Sequence, residues 1–274
     1  MLTYIPLIAV FGLSFFKWGG TGAPEWNGIN NYIKLFTTDP YFKESIKVTV
    51  YFSLLAVVGS MVYSLIVAML LNRKIPARGF FRAVFSLPYV LPAAAVYIGW
   101  SWLYNTEWGL FNYILSKLGI ERLMFVSSSS QVVPSLALIA VWLSGNLIVI
   151  FLAGLQNVPR VYHEAAEIDG ANAWQRFWHV TFPSMTPIIF YNMLMSLITN
   201  MQVVTPALAL TKGGPGKSSY FMSYMLYNYA FKQRGKIGLA CAIAFVLFLL
   251  IGAFTLLLFA TSKSWIFYEG GDDK

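Results

Sequence analysis

Apolar residues fill long stretches of this chain, and polar residues gather in the short links between them. The pattern predicts an all-α membrane protein with six transmembrane helices over residues 2–17, 46–71, 83–104, 132–155, 182–210 and 237–262. A helix rises ~1.5 Å per residue, so roughly 20 apolar residues cross the ~30 Å hydrocarbon core. The first stretch falls short of that and contains Pro6, so it spans marginally or has lost residues upstream. A cleaved signal peptide is the competing reading of this end, but no basic segment precedes the apolar run and no small-x-small site closes it.

No Asp, Glu, Lys or Arg lies in the core of any stretch. Proton-coupled carriers and voltage sensors keep ionisable groups at membrane depth. A transport protein of this kind therefore takes its energy from a partner or runs downhill. Neutral polar residues do occur at depth. In the fifth stretch Asn192, Ser196, Thr199, Asn200 and Gln202 share about 160° of arc at ~100° per residue. Amides are costly against lipid, so this face either hydrogen-bonds to other helices or lines a substrate path, where neutral donors and acceptors suit sugar hydroxyls. Tyr97, Trp100, Trp102 and Trp142 read as interfacial anchors or packing, with stacking on a sugar ring as the alternative.

The most informative link covers residues 157–183. Glu164, Glu167 and Asp169 lie on about a turn and a half of predicted helix, and Gly170 follows. Asn157 is placed to cap this helix, with Pro159 in its first turn. Val161, Ala165 and Ile168 recur as a narrow apolar stripe flanked by Glu164 and Glu167, and Gly170 offers a left-handed exit. A second short helix is expected from about Ala173 to Val180, before Pro183 opens the fifth span. A solvated amphipathic helix fits this pattern, and so does a docking surface for basic groups of another protein.

Composition agrees with the membrane assignment: 58% of residues are hydrophobic and only 11% charged, where soluble proteins average about 25% charged. The net charge of +8 suits a protein held against anionic membrane lipid. Aromatic and basic residues do not interleave on a soluble surface, so no nucleic acid is expected as a partner. Cys241, the single cysteine, lies in the last span and reads as a small buried hydrophobe. The 73–82 link carries four positive and no negative charges, which puts it in the cytoplasm together with the termini and the 157–183 link. The last external link then holds Lys212, Lys217, Lys232, Arg234 and Lys236, so a raw count over all links leans slightly the other way.

Three motif lookalikes fail on chemistry. Gly216-Lys217-Ser218 resembles the end of a phosphate-binding loop, but that pattern needs glycine where Thr211 stands, and Pro215 removes a backbone donor. Leu143-Ser144-Gly145 echoes a nucleotide-binding signature but lies inside an apolar span. His163-Glu164 suggests a zinc-protease helix, yet Glu167 occupies the second histidine position and His179 is the one other histidine. The chain is read as having no catalytic and no metal-ligating residues.

The run Glu-Ala-Ala-x-x-Asp-Gly-Ala from Glu164, followed by Trp174, Phe177, Val180 and Pro183 at three-residue intervals, resembles the EAA loop of permease subunits in binding-protein-dependent ABC importers. A wider resemblance to the maltose-type and glycerol-phosphate-type sugar permeases covers about residues 24–262. It rests on Leu71-Asn72-Arg73, Gly79-Phe80-Phe81-Arg82, Leu87-Pro88-Tyr89-Val90, Ala153-Gly154-Leu155-Gln156 and the 210–216 segment ending Gly213-Gly214-Pro215-Gly216.

The resemblance implies a single permease domain over residues 1–274. Its fold would be that of a type I ABC importer, with a cytoplasmic coupling-helix loop between the fourth and fifth spans. Glu164 would pair with a basic group on a cytoplasmic ABC ATPase, Ala165 and Ala166 would pack into it, and Asp169 and Gly170 would set the turn. ATP and Mg would bind the ATPase, so no cofactor is expected in this chain. A second permease subunit, expected to be a different chain, would complete a heterodimer, and an extracytoplasmic solute-binding protein would deliver substrate near the Gly213–Gly216 loop. Relatives line the passage with fifth-span residues, which here would be Asn192, Ser196, Thr199, Asn200, Gln202 and Thr205. The expected substrate is a sugar, mono- to oligosaccharide, carried across a bacterial or archaeal cell membrane. The alternatives are an energy-independent facilitator or ABC import of a polyol or glycerol phosphate. The large extracytoplasmic domain of some maltose-type permeases is absent.

Overall fold

The computed structural model describes residues 4–233 and 235–267; residues 2–3 of the first expected span and Arg234 of the last link lie outside them. The order is α1 (Tyr4–Leu13), the antiparallel pair β1 (Phe16–Lys17) and β2 (Glu25–Trp26), α2 (Asn30–Ile33), α3 (Phe42–Asn72), α4 (Arg78–Val90) and α5 (Ala93–Leu103). Then follow α6 (Leu110–Lys117), α7 (Val132–Trp142), α8 (Gly145–Asn157), α9 (Arg160–Ile168), α10 (Ala173–Arg176), α11 (Phe182–Met201), α12 (Met222–Tyr227) and α13 (Ile237–Ser262).

Among the described residues two helices, α3 and α13, are individually long and apolar enough to cross a membrane, and the count is four if each of two bent pairs is one span. The 83–104 stretch is not one rod: α4 and α5 meet at 101°. Pro92 explains the break, because the residue before a proline is pushed to extended backbone, and Leu91 sits at φ −72°, ψ 144°. In the 132–155 stretch α7 and α8 are bent by 51° at Leu143–Ser144. The 182–210 stretch is helical to Met201, breaks over 202–204 and resumes as a helical turn that includes Ala207–Thr211. Pro206 lacks the N–H that would bond to the Gln202 carbonyl, so the helix cannot be carried through. α1 has ten residues, fewer than a span needs.

Contacts divide the chain into two compact units. The first holds the residues up to Leu55, Pro92–Ile139 and Thr199–Ala253; the second holds Ala56–Leu91, Ala140–Ile198 and the chain from Phe254. In the first unit Tyr104 is almost wholly buried, its ring stacked 4.6 Å from Phe125 and its hydroxyl donating to the Ser135 carbonyl at 3.0 Å. Trp100 packs against Tyr104 with ring centres 5.1 Å apart, so Trp100 belongs to the core, and Tyr97 is buried with it; Trp102 is exposed. The Met222 amide donates to Thr49 Oγ1 at 2.9 Å, tying α12 to α3.

In the second unit α8 crosses α4 at backbone contact. A Cβ on Gly145 would stand 2.8 Å from the Phe85 carbonyl oxygen and 2.9 Å from Ser86 Cα, so only glycine fits. Ser144 and Ser64 hydroxyls meet at 3.0 Å across α3 and the α7–α8 break. Pro187 lies inside α11 and leaves the Pro183 carbonyl without its helical donor; Thr186 Oγ1 supplies one at 2.6 Å. Small hydroxyls also mark one stripe of α3: Ser45, Thr49, Ser53, Ser60 and Ser64 are all buried and share about 100° of arc.

Candidate functional site

The link from α8 to α11 belongs to the second unit and consists of α9, a tight turn, α10 and a π-helical turn at Phe177–Thr181 that runs on into α11. Asn157 does not cap α9, contrary to the sequence expectation: it is the last residue of α8, and Pro159 occupies the N-cap position. The cause is again a proline, which drives Val158 to extended backbone (φ −64°, ψ 122°), so α8 ends before it and α9 starts after it.

α9 ends as its glycine requires. Gly170 adopts φ +77°, its amide donates to the Glu167 carbonyl at 3.0 Å, and the Ala171 amide donates to the Ala166 carbonyl at 2.9 Å. These two bonds form a Schellman cap, whose left-handed residue would strain any side chain with a Cβ. Two residues later Asn172 starts α10 with a capping box. Its Oδ1 accepts from the Trp174 and Gln175 amides at 3.0 Å each, and Gln175 Oε1 accepts from the Asn172 amide at 2.9 Å. Arg176 then closes an ion pair back to Glu167 on α9. The C-terminal end of α9 is thus tied to α10 both through the turn and by the Glu167–Arg176 pair.

The outer surface of α9 is bare. None of its residues is buried; Val161 is 68% exposed and Ile168 86%. Glu164 and Ala165 are exposed beside them, while Ala166 is half-buried. The apolar stripe therefore points away from the rest of its unit. Beside it, Ala166, Asp169, Gly170, Gln175, Arg176 and His179 help to line a shallow hollow of about 290 Å³. Trp174 and Trp178 stand exposed at its flank, edge to face with ring centres 5.7 Å apart.

The second set of sequence candidates is only partly together. Asn192, Ser196, Thr199 and Asn200 lie on α11, where Asn192 is buried and its amide donates to the Ile188 carbonyl at 2.8 Å. Gln202 and Thr205 fall beyond the end of that helix, so the single arc does not include them. Gln202 instead borders a mostly apolar groove of about 480 Å³ in the first unit with Ser223, Tyr227 and Phe231. The 213–216 loop is stiffened from within: the buried Ser219 hydroxyl lies 2.6 Å from Thr211 Oγ1 and 2.7 Å from the Gly214 carbonyl.

Two features of the α9 site escaped the sequence reading. The capping box was legible as Asn172 with Gln175 three positions on. Arg176 gave no local signal, since its partner Glu167 is nine positions away and across a turn.

Long apolar helices, two bent apolar pairs and an exposed polar hairpin of helices between two of the expected spans fit an integral membrane protein with a docking surface outside the bilayer. The comparisons are more specific. Residues 60–264 match the family of binding-protein-dependent transport system inner membrane components, and the chain belongs to that family. It is 36% identical over 264 residues to the multiple sugar-binding transport system permease protein MsmF of Streptococcus mutans, covering 96% of this chain and 90% of that one. It is 30% identical over 255 residues to the trehalose/maltose transport system permease protein MalF of Thermococcus litoralis, covering 92% and 85%. The fold matches a chain of a bacterial ABC transporter that imports the acidic polysaccharide alginate, with a TM-score of 0.80, 20% identity and coverage of 96% and 90%.

Proposed function

We propose that this chain is the membrane permease subunit of an ATP-driven importer that moves a sugar delivered by an extracytoplasmic binding protein. One observation carries the reading: α9 turns an apolar stripe with an adjacent carboxylate, Val161, Glu164 and Ile168, away from its own unit on a hairpin tied at its turn and by the Glu167–Arg176 ion pair. A helix built only for its own fold would bury that stripe. In this reading α9 seats in a cleft of a cytoplasmic ATPase. Glu164 meets a basic group there, and Ala165 and Ala166 allow close approach. Because the hairpin is rigid, closure of two ATPases moves it as one body and rocks the spans between inward- and outward-facing states.

The same reading calls for six spans: α3, α11, α13 and the two bent pairs would supply five, and the ten-residue α1, shorter than a full crossing, would belong to the sixth. It also supplies a second permease chain, ATP and Mg held by the ATPase, and a substrate path past Asn192, Ser196, Thr199, Asn200, Gln202 and Thr205. The sugar class is supported by the names of the relatives and by neutral amides and hydroxyls on α11.

Reconstitution into vesicles tests it. Sugar uptake should require ATP, the ATPase, a second permease and the binding protein; flux through the purified chain alone would make it a facilitator instead. Gly170→Val and Glu164→Lys should insert normally but lose ATPase association, and full transport by both would remove the docking role.

A further inference from the structure

We infer that the cleft between the β1–β2 hairpin, the 34–38 turn and the start of α13 binds the phosphate of an anionic phospholipid headgroup. This site stands apart from the proposed ATPase dock and does not rest on it. Two adjoining hollows, of about 600 and 340 Å³, share Lys34, Thr38 and Lys236. Lys17 opens onto the larger and Lys217 onto the smaller. All of these residues belong to the first unit.

The amines are held in place. Lys217 Nζ lies 4.5 Å from the centre of the Tyr220 ring and 5.3 Å from that of Tyr41, and Lys236 Nζ lies 5.0 Å from that of Tyr229. Aromatic faces fix an ammonium without neutralising it. The nearby carboxylates are already engaged. Asp39 Oδ1 accepts from the Tyr41 and Phe42 amides at 2.9 and 3.1 Å, at the start of α3, and its other oxygen accepts from the Tyr229 hydroxyl. Burial first, and the Asp39 hydrogen bond after it, hold the Tyr229 phenol well above its ordinary range, so it stays a neutral donor. Glu25 lies 3.8 Å from Lys17 and offsets that one charge. With Lys17 offset by Glu25, the three remaining lysines Lys34, Lys217 and Lys236 against the one Asp39 carboxylate leave the cleft a net charge of +2. The walls are firm: the Gly238 amide donates to the Trp18 carbonyl at 3.1 Å, and buried Asn31 donates to the Ser14 and Phe16 carbonyls at 2.7 and 2.9 Å.

Depth selects the occupant. α3 and α13, the two helices that qualify as spans on their own, both start at this cleft. Lys236 immediately precedes α13, and the apolar run of α3 begins at Val48, about 9 Å beyond Phe42 along the axis. Lysines and tyrosines therefore ring the level where hydrocarbon gives way to headgroups, and there the abundant anion is lipid phosphate.

Native mass spectrometry of the full chain in detergent tests this, titrating phosphatidylglycerol against phosphatidylcholine of the same acyl chains. Phosphatidylglycerol should be retained preferentially. Lys34→Gln with Lys236→Gln should weaken that retention roughly 20-fold. Lys74→Gln with Lys117→Gln, the same charge loss at residues that line neither hollow, should not. Lys17→Gln with Lys217→Gln gives an independent second cleft variant, and gel filtration checks folding of each. Equal retention of the two lipids, or equal weakening by the cleft and control variants, overturns the assignment. So does binding of inorganic phosphate without phosphatidylglycerol preference, which would make the source free phosphate. Unchanged phosphatidylglycerol retention with weakened affinity for the extracytoplasmic binding protein would make the cleft a protein contact and equally overturn it.

Discussion

At Gly145 a single missing methyl allows the backbones of α8 and α4 to touch, and the neighbouring atoms are main chain, which cannot swing aside. Overpacking of that kind costs about 1–3 kcal/mol. Gly145→Ala should therefore lower the thermal unfolding midpoint of the purified chain clearly, and differential scanning fluorimetry in detergent would measure it. Arg176 works differently. In its pair with Glu167 the carboxylate is 61% exposed and the Arg176 side chain 25%, so solvent screens the pair through Glu167 and its contribution to global stability is small, about 0–1 kcal/mol. What it holds is the angle between α9 and α10. Glu167→Arg should leave the unfolding midpoint nearly unchanged yet reduce ATP-driven uptake, and adding Arg176→Glu should restore part of the loss. If the reversed pair rescues nothing, the pairing is incidental.

At the scale of elements, α9 and α10 are set by short-range chemistry that can be read from the residues. Period-3.6 recurrence of Val161, Ala165 and Ile168 gives the helix, Gly170 its end, and Asn172 with Gln175 the next start. Asn172→Ala removes the capping side chain and costs about 1 kcal/mol locally. Faster hydrogen exchange at the Trp174 and Gln175 amides would register it. The spans were less legible for a physical reason. Hydropathy reports how apolar a run is but not whether its backbone is continuous, so the 83–104 and 182–210 stretches read as single rods although Pro92 and Pro206 cut them. Polar burial was also half-hidden. The amide-bearing face of α11 stood out because Asn and Gln are costly in lipid. The Ser and Thr stripe of α3 did not, since small hydroxyls blend into an apolar run.

For the molecule as a whole, folding and energy input draw on different residues, and this separation is testable in one variant. The cores of the two units contain Tyr104, Phe52 and Phe221 in the first and Phe151, Leu152 and Met185 in the second, all nearly inaccessible. Ile168 is 86% exposed and touches none of that packing, so its apolar side chain adds little to stability in the isolated chain. If α9 seats in an ATPase, the same side chain becomes an anchor in a closed interface, where burying it contributes roughly 1.5–3 kcal/mol and a charge in its place would be left unpaired. Ile168→Asp should therefore insert and melt like the parent chain while weakening ATPase association more than tenfold, read by co-purification and by ATP-driven uptake in vesicles. A variant that melted early would show that the stripe serves the fold. One that melted normally and transported fully would leave α9 a solvated helix and move the entry point of energy elsewhere in the chain.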